Sequence, residues 1–409
     1  MSGDRTLNHG AWVILGGAHL LNRTRPQRPD ELIVLVGVPP QEVCRPATSV
    51  VVRWDVLGLC MARALRPGGA QTGSAWIDGG ELSPDAIPGP ILRRLAGAEA
   101  APSLVPLCYL AEHPDGGYHA YAQVRFHPED ACFVRTTRAP VGHGPVEGLH
   151  WLAPVLATHA ELSMALDNHL RYFRRHFEGT ELEYKYILDP APDIWVASME
   201  LLNALRDGEL AGFQPEYREE FEVHHTENHL FDVIAPEHEA GYASFIPTVT
   251  TGHVLKRKWF TKDTFARREE LTPGLDISPD RFEAHLSEEL GLHVRAMPPF
   301  RRVRYDVQCA SMRTGHIYGL FFDRCSLLAA PEIALTQCEL EYLRSRSVLD
   351  QDHEVLSEME RLNGWLGTYL ANRGWAKNHT FYSKRTFLRD AIAARPDLLP
   401  SSRAGTPTG

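Results

Sequence analysis

The sequence predicts an α+β protein in two parts, with enough antiparallel strand in its second half to close a barrel. Three observations lead there. The chain has 409 residues, ample for a packed core, and at roughly 100–200 residues per domain that length suits two domains. Residues 1–150 mix β-branched runs with a Gly/Pro-rich stretch, whereas from Gly179 onward short strand-like runs follow one another. Two helices with clear start and stop signals interrupt those runs.

Strands are expected first at Glu31–Val38, Ser49–Leu57, Gly117–Phe126 and Ala131–Thr136, with Arg66 to Pro90 a long loop. Leu152, Leu156, Leu162, Leu166, Leu170, Phe173 and Phe177 recur mostly three or four apart, which predicts a helix over His150–Phe177 joining the two parts. Asp193 reads as the N-cap of a helix over Ile194–Arg206, with Gly208 just beyond its end. Ser278-Pro279 opens a second helix carrying Phe282, Leu286 and Leu290, which Gly291 stops.

Strand candidates follow at Glu181–Leu188, Arg218–His224, His229–Ile234, Tyr242–Pro247, His253–Phe260, Thr264–Leu271, Arg301–Cys309, Gly315–Asp323 and Gln337–Leu343. Asp350–Asn372 reads as a C-terminal helix with Leu356, Met359 and Trp365 on its apolar side. The boundaries are therefore an N-terminal α+β domain at 1–150, a linking helix at 151–178, a barrel domain at 179–345, a C-terminal helical segment at 346–399 and a disordered tail at 400–409.

The net charge is −10, which gives no overall pull toward nucleic acid or an anionic membrane. The apolar run Leu32–Val36 falls far short of the ~20 residues of a spanning helix. The first residues lack a secretory cleavage pattern, so a cytoplasmic setting is expected. Seven cysteines without a C-x-x-C suit buried thiols rather than disulfides or structural zinc. No Rossmann, P-loop or hydrolase-elbow motif occurs. His224, His225 and His229 lie close together, but their surroundings favour a satisfied or exposed loop over zinc.

The segment Glu181-Leu182-Glu183-Tyr184-Lys185 carries the chemistry. Strand side chains alternate, so two carboxylates and an ammonium share one face. Lys256 and Lys258 share a face further on, as do Arg267 with Glu269, Arg302 with Arg304, and Glu339 with Glu341. An exposed amphipathic strand would show the same alternation. A barrel enclosing all these faces would hold a mixed lumen that is costly to bury unless ions fill it.

In order, Glu-x-Glu-x-Lys, a Leu-Lys-x-Lys strand, an Arg-x-Glu strand, a late basic strand, an aspartate-ended strand and a closing Glu-x-Glu strand resemble the CYTH proteins, or triphosphate tunnel metalloenzymes, over about residues 179–345. The resemblance implies an eight-stranded antiparallel tunnel. It implies that Glu181, Glu183, Glu339 and Glu341 hold Mg²⁺ or Mn²⁺. Phosphate contacts would come from Lys185, Lys256, Lys258, Arg267, Arg302 and Arg304, with Lys185, Lys256 and Arg267 acting on the reacting phosphate. Glu269 and Asp323 would be secondary acidic positions. One departure stands out: the family has a Leu-Arg-x-Arg strand upstream of the lysine strand, and here Gly241-Tyr242-Ala243-Ser244-Phe245-Ile246 takes its place.

The expected function is metal-dependent action on a phosphoanhydride or organic polyphosphate, of triphosphatase or nucleotidyl cyclase type. A lyase or cyclase expelling diphosphate from an apolar organic diphosphate, and a polyphosphate-binding sensor without turnover, are the alternatives. The expected partner is a small-molecule polyphosphate or diphosphate, with neither nucleic acid nor membrane.

Overall fold

The computed structural model describes residues 10–17, 19–22, 28, 31–38, 48–66, 71–82, 91, 94–95, 104–126, 129–166, 175–216, 221–248, 252–346, 352–376 and 378–399. The expected tail at 400–409 lies outside them. The chain divides into two compact units, Met1–Arg174 with Ser311–His316 and Arg344–Asp352, and Arg175–Ala310 with Ile317–Leu343 and His353–Gly409.

The first unit holds an eight-stranded antiparallel sheet of β1 (Ala11–Gly17), β2 (Ile33–Val38), β3 (Ser49–Arg53), β4 (Leu59–Leu65), β5 (Gln71–Asp78), β6 (Leu104–Glu112), β7 (Tyr118–Phe126) and β8 (Asp130–Arg135). Its order is β3-β8-β7-β6-β1-β2-β4-β5. Val13, Val34 and Val36 enter one core cluster while Ile14, Ile33 and Leu35 enter another with Trp151 and Val155. Both faces are thus covered, which explains why β2 is apolar without interruption.

β5 falls inside the Arg66–Pro90 stretch expected as a loop. It is held by pairing with β4, and Gly73 admits the Leu95 carbonyl to a spot where a Cβ would lie 2.2 Å from its oxygen. Close backbone approach, not propensity, dictated that glycine. The helix expected over His150–Phe177 runs from Leu152 to Leu166. Residues 167–174 lie outside the described set, and 175–179 are irregular.

The second unit contains β9 (Thr180–Ile187), β10 (Phe213–Pro215), β11 (Phe221–Ala235), β12 (Gly241–Pro247), β13 (His253–Trp259), β14 (Ala266–Leu275), β15 (His293–Ala296), β16 (Phe300–Ser311), β17 (His316–Leu327) and β18 (Ala334–Ser345). The sheet runs β16-β17-β18-β9-β14-β13-β12-β11, and β11 returns to β16 in a register from Phe221↔Val307 to Asn228↔Phe300. Eight antiparallel strands therefore close into a barrel. The two strands expected at 218–224 and 229–234 are one continuous strand. Closure requires this, because the first half of β11 pairs with β16 and its second half with β12 and β15. His224, His225 and His229, expected in a loop, lie on that strand.

The barrel is apolar outside and charged within. Leu182, Tyr186, Tyr318, Leu340 and Tyr342 face outward and pack under the Ile194–Arg206 and Val355–Asn372 helices. Asp193 caps the first of these, its Oδ1 accepting the Trp195 and Val196 N–H groups at 2.9 and 3.1 Å. On another side Phe245 stacks on Phe282, ring centroids 3.9 Å apart. Phe282 begins a helix less regular than expected, since a 3₁₀ turn at Pro279–Arg281 precedes it and a π turn at His285–Glu289 follows. A C-terminal helix absent from the expectation, Lys384–Ala394, packs Phe387, Leu388 and Ala391 into one cluster with Leu230, Tyr242 and Phe300, and its first residue, Lys384, lines the lumen.

Candidate active site in the barrel lumen

A polar cavity opens within the barrel. Its lining includes Glu181, Glu183 and Lys185 from β9, Lys256 and Lys258 from β13, Arg267 from β14, Arg302 and Arg304 from β16, and Glu339 and Glu341 from β18. Strand alternation brings them together: Lys185 stands opposite Glu339, Glu341 opposite Glu183, and Glu269 opposite Lys258. Seven cations and four carboxylates line the cavity, an excess of three positive charges.

The carboxylates fall into two kinds. Glu339 is saturated with cations: Lys185 Nζ at 2.7 Å, Lys384 Nζ at 2.8 Å, and Arg304. Burial would raise its carboxyl, but Lys185, Lys384 and Arg304 hold it well below the usual range. Glu181, Glu183 and Glu341 converge, each offering an oxygen within 4.8 Å of the others, although Glu181 also meets Lys258 and Glu183 meets Arg267 and, at 2.8 Å, Lys185. Burial, reinforced by Glu181, Glu269 and Glu183, pushes the Glu341 carboxyl up to about 8. Three converging carboxylates, one of them held partly protonated by its neighbours and its burial, are a donor set that fits a hard divalent cation. Glu339 lies outside this convergent group.

The secondary acids are also ion-paired. Glu269 meets Lys256 at 2.7 Å and Lys258 at 3.5 Å. Burial opposes its ionisation, yet those lysines hold its carboxyl at about 2. Asp323 accepts the Arg304 Nε and Nη2 donors at 2.6 and 2.7 Å and meets Lys384 at 2.7 Å. Lys258 bonds Glu181, and Arg267 bonds Glu183. Arg302 and Arg267 each keep a buried Nε with no hydrogen-bond partner. An anion in the lumen would give these two donors an acceptor.

Lys384 was not expected from the sequence. It comes from the C-terminal helix, which a chain of contacts guides into the barrel. Thr380 bridges Lys185 through backbone bonds in both directions, Arg267 donates to the Phe381 carbonyl at 2.9 Å, and Gln337 donates to the Tyr382 carbonyl at 2.9 Å. The Ser383 Oγ then caps the helix by accepting the Thr386 N–H at 3.1 Å. Ser-x-x-Thr before an apolar Phe-Leu pair was the available signal.

The aromatic strand divides by alternation. Tyr242, Ser244 and Ile246 line the cavity, whereas Phe245 faces outward onto Phe282. Phe245 therefore cannot serve as a lumen residue, since positions three apart on a strand face opposite sides.

No family model matches the chain, and no curated protein matches it. Among solved structures, a putative adenylyl cyclase from Hippeastrum, HpAC1, described as having a dominant triphosphatase activity, shares 18% identity over 52% of this chain and 96% of its own, with a TM-score of 0.31. The S. pombe RNA triphosphatase Pct1, solved with the Spt5 CTD, shares 13% identity over 53% of this chain and 85% of its own, with a TM-score of 0.22. Likenesses this distant bear no weight beside the strand pairing and the lumen charges.

Proposed function

We propose that the barrel is a metal-dependent enzyme of the triphosphate tunnel type, cleaving a phosphoanhydride of a polyphosphate or nucleotide substrate. The observation that carries this is the lumen itself: a cation excess and two unpartnered guanidinium donors beside a convergent three-carboxylate cluster. Mg²⁺ or Mn²⁺ held by Glu181, Glu183 and Glu341 would draw charge from the phosphate oxygens. Lys185, Lys256, Lys258, Arg302 and Arg304 would hold the non-bridging oxygens, and Arg267 would fix the reacting phosphate beside Glu183. Enclosure strengthens each of these contacts, because the lumen excludes most competing water.

A second reading, loss of diphosphate from an organic diphosphate, rests on Tyr242 and Ile246. They set an aromatic ring and an aliphatic side chain in the lumen, on the strand where the family it resembles has two alternating arginines. Each missing charge-assisted contact removes about 1.5–3 kcal/mol of phosphate binding. Inorganic triphosphate should therefore be a poorer substrate than a nucleoside triphosphate or an organic diphosphate. The test is phosphate and diphosphate release from all three with Mg²⁺ or Mn²⁺, for the native chain and for Tyr242→Arg. Tyr242→Arg should improve inorganic triphosphate use at the expense of the organic substrate. Efficient hydrolysis of inorganic triphosphate by the native chain would remove the second reading.

A further inference from the structure

The lumen-facing side of β11 carries a group the phosphate site does not use. Glu222 and His224 share the face of Asn228 and Leu230, and the β11–β16 register sets Glu222 opposite Asp306. His224 Nε2 lies 3.2 Å from Glu222 Oε2 and 3.3 Å from Asp306 Oδ2. The three side chains offer ligand atoms within 4.8 Å of one another.

We propose that Glu222, His224 and Asp306 form a second cation site, for a divalent transition metal that accepts nitrogen as well as oxygen, such as Zn²⁺ or Mn²⁺. The site is distinct from the Glu181/Glu183/Glu341 cluster. In the closed strand order β11 stands four strands from β9 by either route, across the barrel from it.

Three observations carry the assignment. Asp306 is 93% buried, and its Oδ1 has no hydrogen-bond partner. The nearest cation to that oxygen, Arg304 Nε, is 3.8 Å away and already donates to Asp323. Leaving a buried carboxylate oxygen unsatisfied is costly unless something else meets it. Second, one imidazole nitrogen stands between two carboxylates and can direct at most one N–H, so the trio is better completed by a cation than by a proton. Third, the His224 and Glu222 side chains are 43% and 40% exposed, which leaves coordination positions open to water or to a ligand oxygen. One imidazole with two carboxylates favours zinc-like or manganese-like ions over Mg²⁺, which prefers oxygen alone.

The proposal does not depend on the phosphohydrolase reading. It is tested by calorimetric titration of the full chain with ZnCl₂ in saturating Mg²⁺, comparing the native protein with His224→Ala, Glu222→Gln and Glu341→Gln. The expected result is one Zn²⁺ site that survives Mg²⁺ and Glu341→Gln and weakens at least tenfold in both His224→Ala and Glu222→Gln. Thermal unfolding of each variant checks its fold, and the two β11 variants report independently. Both β11 variants titrating like the native chain, or loss of the site in Glu341→Gln alone, would overturn it.

Discussion

Lys384 shows how one side chain can serve two carboxylates and a ligand. It meets Asp323 and Glu339 at 2.7 and 2.8 Å and also lines the cavity. Burial would lower its ammonium, but Asp323 and Glu339 raise it, so it stays charged at any physiological pH. Replacing it with methionine removes one cation from the cavity wall, and on the proposed function one phosphate contact, while Arg304 still satisfies Asp323 and Lys185 still satisfies Glu339. Lys384→Met should therefore fold normally and lose about ten- to a hundredfold in kcat/KM, the worth of one charge-assisted contact; unchanged steady-state kinetics would remove it from the site. The charged residues of the lumen from β9, β13, β14, β16 and β18 were legible because each lies on a strand with another charge two positions away. Lys384 had no such partner in sequence, and only the fold brings it to Glu339.

At the scale of elements, the barrel strands were readable because a charged face alternates with an apolar one, a pattern that survives whichever face is inside. β1 and β6 of the first unit are buried along nearly all of their length, so they show no alternation and were not anticipated. Asp232 is the tie between β11 and the C-terminal helix. It accepts Arg385 Nε at 2.8 Å, Arg389 Nη2 at 2.7 Å and Arg295 Nη2 at 3.0 Å. Burial would raise its carboxyl, but Arg389 and Arg385 lower it below the ordinary 3.8.

A carboxylate lowered in the folded state stabilises it fully above its ordinary value, and that contribution is lost as pH falls through the lowered one. Melting temperature between pH 5 and pH 2 should therefore drop more steeply in the native chain than in Asp232→Asn. At pH 7 Asp232→Asn should cost about 3–5 kcal/mol, because it strands buried guanidinium. Parallel pH profiles for the two would contradict this. Gly241 is equally constrained: its φ is +153°, and an added Cβ would sit 1.8 Å from the Lys258 carbonyl oxygen. Gly241→Ala should lower the melting temperature markedly by parting β12 from β13, where a tolerated surface change would leave it within about 0.5 kcal/mol of stability.

The whole molecule pairs a sheet unit covered on both faces with a barrel turned inside out, its charges enclosed and its apolar face under helices. Such an interior is stable only if its ions are matched, and most are: Glu181 with Lys258, Glu183 with Arg267, and Glu339 with Lys185. Beside these pairs Glu341 converges on Glu181 and Glu183, and two buried guanidinium Nε donors have no hydrogen-bond partner. On the proposed function, a metal and a polyphosphate meet there. The direct test is phosphate release from a nucleoside triphosphate by the purified chain with Mn²⁺, beside Glu181→Gln and Glu183→Gln. The prediction is turnover that a chelator abolishes and that both variants lose, with thermal unfolding checking each fold because each substitution also breaks a buried ion pair, Glu181 with Lys258 or Glu183 with Arg267. Turnover that survives the chelator, or full activity in both variants, would contradict it.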